Sequence, residues 1–352
     1  MRPLQDPPRF LIVKLAALGD LSFAYPAAQA LKKVFPEATV DWIVGQKLSP
    51  FLERSPYLDS VLTVDETAFF GARPAAVLTE TLALRKKLHK RYDAIFLLHR
   101  KGLFVPWLLT MTRGPIFGLS RSRMAGHTPE GHFRVRWVGV PPMSLHESLA
   151  HRKVIEEGMR AFGYSQSLSW EWDDLSHLEL SDELRKELPD SYGVVHIGGG
   201  SNAKTEFRLK QWPYFQNWLK QQAELSNRHW VIVGSSGEQV ELPKHAYLHD
   251  WVGRTSISDL VGVIRRAQVF VGVDSGPLHI ADALKVPCVG LFGPTSEVSW
   301  GLLNSNARIL RTNPDCSPCY KDDGHFSECA FEHRCMKEIQ PDELTQTLKE
   351  ML

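Results

Sequence analysis

The chain of 352 residues contains no apolar run long enough to span a bilayer. Its longest candidate, residues 103–111, is short and is closed by Arg113. The amino terminus, MRPLQDPPRF, lacks the apolar h-region of a signal peptide, so a cytoplasmic chain is expected. There is no low-complexity segment and no short repeat. Signatures of zinc fingers, RNA-recognition folds and basic zippers are missing, which sets nucleic acid aside as a partner. No Asp-x-Asp pair stands where it would hold a metal on a departing phosphate. Cysteine is scarce, five in all, and a cytoplasmic location argues against stable disulfides.

What is present is an ordinary globular composition, 43% hydrophobic and 23% charged, at a length that predicts two domains. The net charge of +1 hides an asymmetry. Residues 1–170 carry 23 Lys and Arg against 14 Asp and Glu, whereas residues 171–352 carry 18 against 26. A basic first half predicts an anionic partner, a phosphorylated lipid or a membrane surface.

Apolar patterning divides the chain into two successive α/β halves. In the first, strands are expected at residues 9–15, 39–44 and 94–98, with helices over 21–34, 75–90 and 146–162. Residues 113–142, rich in Gly, Arg and Pro, are expected to form loops and short strands. The polar stretch 163–181 reads as the connection. The second half predicts strands at 193–197, 229–233, 269–273 and 288–292, with helices over 212–225 and 257–267. The expected domains are 1–170 and 171–340, followed by a helix at 341–352 that packs back on the first domain. Two Rossmann-like domains facing a cleft would put ligands at the carboxyl ends of their strands.

The most informative stretch is VFVGVDSGPLHIADALKVPCVGLFGPTSEVSW, residues 269–300. An apolar strand runs into Asp274-Ser275-Gly276-Pro277, where a helix opens, and a second strand ends in Gly293-Pro294-Thr295. Free backbone N–H groups at such a helix start suit a phosphate. Asp274 has a simple alternative role as the helix N-cap, and a lone helical His such as His279 is more often structural. His196-Ile197-Gly198-Gly199-Gly200-Ser201-Asn202 also follows a strand and can wrap a phosphate with backbone N–H groups. Lys204 and Lys210 lie just beyond it. Near the amino terminus, Asp20 sits at another strand-to-helix turn, where capping is again the simple role.

These motifs together resemble glycosyltransferase family 9, the lipopolysaccharide heptosyltransferases. The similarity is carried by LIVKLAALGDLSFAYPAAQALK, by Lys210-Gln211-Trp212-Pro213 and by DSGPLH…AL.VP…LFGPT. It implies the GT-B architecture and an inverting transfer of heptose. The implied donor is ADP-L-glycero-D-manno-heptose, and the implied acceptor is the anionic lipid A–Kdo inner core or a core heptose. Transient contact with the inner-membrane surface follows from that acceptor.

By the resemblance, Asp20 is the general base, taking the acceptor proton as the C–O bond forms. Gly198, Gly199, Ser201, Lys204, Lys210, Glu238, Thr255, Asp274, Ser275, Gly276 and His279 fall at donor-binding positions. Lys204 and Lys210 compete for the pyrophosphate, and Asp274 is expected to accept hydrogen bonds from sugar hydroxyls. Arg100, Lys101, Arg121 and Arg123 are expected to recognise acceptor anions. Helix N-termini and Lys meet the leaving-group charge, so catalysis needs no cofactor. A sugar-nucleotide epimerase of similar shape and a non-catalytic nucleotide-binding module are the competing readings. Acceptor-dependent release of nucleoside diphosphate separates both from a transferase.

Cys316, Cys319, Cys329 and Cys335 cluster near the carboxyl terminus, while Cys288 stands apart in an expected strand. Four thiolates at this density suit structural zinc, with His325 or His333 as substitute ligands. Free, partly buried thiols are the alternative. The Cys-x-Pro-Cys-aromatic element and the Cys-Met pair also resemble the family, which implies a structural role.

Overall fold

The computed structural model describes residues 4–70, 74–98, 109–120, 135–140, 143–172, 174–198, 209–238, 241–320 and 329–352. The chain divides between Trp172 and Asp173 into two units. The first holds six parallel strands: β1 (Arg9–Val13), β2 (Thr39–Gly45), β3 (Ser60–Val64), β4 (Ala94–Leu97), β5 (Ile116–Ser120) and β6 (Val135–Gly139). The second holds β7 (Tyr192–His196), β8 (His229–Val233), β9 (Leu248–Asp250), β10 (Val269–Val273), β11 (Cys288–Leu291) and β12 (Ala307–Leu310), also all parallel.

The strand orders are β3-β2-β1-β4-β5-β6 and β12-β11-β10-β7-β8-β9. Counted within its own unit, each sheet follows the Rossmann order 3-2-1-4-5-6, whose direction of growth reverses beside its first strand. The expected α/β class with two Rossmann-like domains is what the chain forms. Strands such as β4, β5, β7 and β10 are buried at every residue, because helices cover both faces of a parallel sheet. Each sheet therefore has its own reversal point, between β1 and β4 in the first unit and between β7 and β10 in the second.

One expectation needs correction. The helix expected over 21–34 is two helices, Leu18–Ala24 and Pro26–Val34, because Pro26 starts a new one after Tyr25. The region expected to form loops and short strands contains β5 and β6, five residues each. The terminal helix, Pro341–Met351, contributes to the second core. Its Leu344 and Leu348 are buried there, and Thr345 takes hydrogen bonds from Trp218 and Gln222.

Candidate functional site

The reversal point of the second sheet gathers most of the residues expected at donor-binding positions. β7 ends in His196 and β10 ends in Val273, so the loop at Ile197-Gly198 and the Asp274-Ser275 turn emerge side by side. The helix Gly276–Ala283 starts there, with Ser275 as its N-cap residue and Pro277 in its first turn. Asp274 is not the cap. The residue is 4% exposed, and its carboxylate accepts from Lys210 Nζ at 2.8 Å on Oδ2 and pairs with His279 Nε2 at 2.9 Å on Oδ1. Burial alone would raise this carboxyl, but the Lys210 charge and the His279 hydrogen bond outweigh it and hold the group well below the usual range. Asp274 was expected to meet sugar hydroxyls; in the structure it fixes Lys210 and His279.

Lys210 owes its place to its neighbours. Trp212 is buried and donates through Nε1 to the Ile339 carbonyl, and Phe215 opens the next helix from the same core. The Lys-x-Trp-Pro segment is thereby anchored, with Lys210 beside Asp274 and 5.8 Å from the Tyr320 ring centroid. Such a ring face favours the ammonium.

His196 joins this cluster and was not singled out from the sequence. Its Nδ1 pairs with Ser275 Oγ at 3.0 Å, and its Nε2 lies 3.5 Å from Glu238 Oε2. Glu238 also accepts from the Ser235 N–H and hydroxyl. Burial would raise the Glu238 carboxyl, yet His196 and Ser235 bring it down to about 2. Gly198 passes directly over that carboxylate: a Cβ there would lie 2.0 Å from Glu238 Oε1. Only glycine lets the loop approach this closely. Gly253, which donates to the Gly234 carbonyl, brings the turn carrying Thr255 beside Ser236. Gly199, Ser201 and Lys204 lie outside the described residues.

The first reversal point carries Asp20. It is the third residue of the helix Leu18–Ala24, just past β1. Oδ2 accepts from Lys14 Nζ at 2.9 Å and from the Ala17 N–H at 3.4 Å. Oδ1 has no partner among the described residues, and the side chain is 35% exposed. Arg100, Lys101, Arg121 and Arg123 lie outside the described residues.

The cysteine-rich loop proves to be a support for the donor-side cluster. Cys319 and Tyr320 donate their N–H groups to the Pro294 carbonyl, and Ser317 donates to the Gly293 carbonyl. Gly293 rests on Cys335 and Met336, where a Cβ would lie 2.3 Å from Met336 Sδ. All five cysteines are free. Burial pushes the Cys335 thiol up to about 11, with Cys319, Cys316 and Cys329 close enough to add to the shift. Among the described residues no group of three or more His, Cys, Asp or Glu is arranged to hold a metal ion. His333 donates its N–H to Cys329 Sγ, and His325 lies outside the described residues.

With this geometry in place, the family can be assigned. The family model described as glycosyltransferase family 9 (heptosyltransferase) matches residues 81–329. The chain belongs to that family. Lipopolysaccharide heptosyltransferase 3 of Escherichia coli is 41% identical over 324 residues, covering 82% of this chain and 84% of the relative. Lipopolysaccharide heptosyltransferase 1 of Pseudomonas aeruginosa is 23% identical, over 89% and 86% of the two chains. An E. coli heptosyltransferase solved with ADP superposes with a TM-score of 0.71 at 18% identity, covering 98% of this chain and all of that one. The enzyme is thus a glycosyltransferase of the lipopolysaccharide-core heptosyltransferase group, and the epimerase and non-catalytic readings fall away. Among the described residues no helix is long and apolar enough to cross a membrane.

Proposed function

We propose that the enzyme transfers heptose from ADP-L-glycero-D-manno-heptose to the anionic lipid A–Kdo inner core, or to a heptose already on it, by one inverting displacement. The observation that carries this reading is the asymmetry of Asp20, one oxygen anchored and the other without a partner. An acceptor hydroxyl attacks the anomeric carbon as its proton passes to Asp20 Oδ1. The bond from that carbon to the β-phosphate oxygen breaks, and its electron pair leaves with ADP. Lys210 and the N-terminus of the helix Gly276–Ala283 meet the developing charge. No step is routed through a metal. A relative solved with an ADP-heptose analogue supports this donor class.

Arg100, Lys101, Arg121 and Arg123 are assigned to the acceptor's anionic groups. The reading places the enzyme on the cytoplasmic face of the inner membrane. The helix Pro74–Arg85 supports this contact: it exposes Leu78 and Leu82, and Arg85, Lys86, Lys87 and Lys90 are exposed at its carboxyl end. Apolar side chains beside a basic run are the pattern of a helix lying on an anionic bilayer.

The deciding experiment measures ADP release from ADP-heptose with and without truncated lipopolysaccharide. Acceptor-dependent release that falls about 10²–10⁴-fold in Asp20→Asn, with donor affinity unchanged, is expected. Release without acceptor, or near-normal turnover in Asp20→Asn, sinks the reading. Structural zinc at Cys316, Cys319, Cys329 and Cys335 is a separate proposal, resting on their clustering in the sequence, since their side chains are not arranged around a metal in this structure. Elemental analysis of untagged protein tests it: one equivalent supports the site, and substoichiometric zinc with four titratable thiols rejects it.

A further inference from the structure

We propose that Lys14 is a positioning residue for the acceptor-side base, holding Asp20 by one oxygen so that the other is presented to the incoming hydroxyl. The inference rests on Asp20 being that base. Lys14 follows β1 directly, and its backbone is pinned on both sides. Its N–H donates to the Ile43 carbonyl at 3.2 Å, and its own carbonyl accepts from Trp42 Nε1 at 3.2 Å. The residue is 2% exposed, an uncommon setting for lysine, which is almost never fully buried unless paired. Its partner is the Asp20 carboxylate at 2.9 Å. A strand end pinned by these bonds thus delivers a fixed cation to a carboxylate six residues on.

The surroundings argue against a merely generic ion pair. The helix Leu18–Ala24 packs on the helix Glu147–Arg160, which brings His151 and Glu147 to the same place. Both are buried, with His151 Nε2 3.3 Å from Glu147 Oε1. Burial lowers the pKa of His151 against the pull of Glu147 and Asp20, and the nearby Lys14 charge lowers it further. Among these groups, Lys14 is the one whose ammonium bonds the Asp20 carboxylate. Buried cation and half-exposed carboxylate together fix which oxygen faces the acceptor.

The test is a double-mutant cycle on turnover with Lys14→Met, Asp20→Asn and the combination. Lys14→Met should lower kcat roughly 10–100-fold, the scale of a misplaced reacting group, and leave ADP affinity unchanged. Lys14→Arg, which keeps the cation, should restore part of the rate. In the Asp20→Asn background the same change should cost less than about twofold, because Lys14 acts through Asp20. Lys14→Gln serves in place of the Met variant if that one does not fold. Near-normal kcat in Lys14→Met, with Asp20→Asn inactive, overturns the positioning role alone. An equal loss in both backgrounds overturns it too. Near-normal turnover in Asp20→Asn removes the base itself, and with it the inference.

Discussion

Asp274→Asn removes one charge from the buried Lys210–Asp274 ion pair. The side chains of Lys210 and Asp274 are 12% and 6% exposed, so solvent screens the pair little. Deleting one partner of a buried pair costs about 3–5 kcal/mol, since the other charge is left uncompensated. Lys210 keeps some access to water, which favours the lower end, about 3 kcal/mol. In a domain of this size each kcal/mol moves Tm by roughly 2–4 °C, so a fall of about 6–12 °C is expected at pH 7.

The pH dependence has a definite sign. The folded-state pKa of Asp274 is depressed, so its stabilisation is complete above the unfolded carboxylate pKa, about 4. It is lost as pH falls from there through the folded-state value. Thermal melts of both proteins from pH 7 down to 3 should therefore show the wild-type advantage shrinking only on the acid side. ADP titration should show about tenfold weaker binding at pH 7, because Lys210 is no longer held. A variant melting within about 2 °C of the wild type at pH 7 would refute the argument. So would an advantage that shrinks toward alkaline pH.

Gly198→Ala puts a methyl group 2.0 Å from Glu238 Oε1 and must displace either the loop or the Glu238–His196 contact. ADP affinity should fall at least severalfold, and calorimetric titration reads it; unchanged affinity would remove this loop from the donor site. Charge reversal at Lys86 and Lys87, or Leu78→Ser with Leu82→Ser, should each weaken co-sedimentation with anionic vesicles by about tenfold or more. Equal binding to neutral vesicles would show that the helix is not the contact. Neutralising Arg100 with Lys101, or Arg121 with Arg123, should raise the acceptor KM and leave the donor KM unchanged. If neither pair moves it, the basic first half has another origin.

Much of the fold was legible because parallel strands buried on both faces write continuous apolar runs. The segments 229–233 and 269–273 coincide with β8 and β10 to the residue. Asp20, Gly198, Asp274 and Ser275 were found for a related reason. Each follows a strand at the carboxyl end of a sheet, and that end is marked locally by a change from apolar to Gly, Asp and Ser. The split at Tyr25–Pro26 was missed because the apolar helical spacing continues across it, and only the Pro at the start of the second helix marks the break.

Tertiary structure alone decided which partners these residues take. His196 meets Ser275 across 79 positions and Lys210 meets Asp274 across 64, since β7 and β10 are neighbours only in the folded strand order. Lys14 reads in sequence as part of an apolar strand, and only burial and the turn back to Asp20 reveal an ion pair. Tyr320 looked like one aromatic in a cysteine loop until Pro294 drew that loop beside Lys210. Local spacing fixes periodicity and caps, because those depend on neighbours along the chain. Which charge faces which depends on sheet order and on water being excluded between the faces, and neither is written in any short stretch of residues.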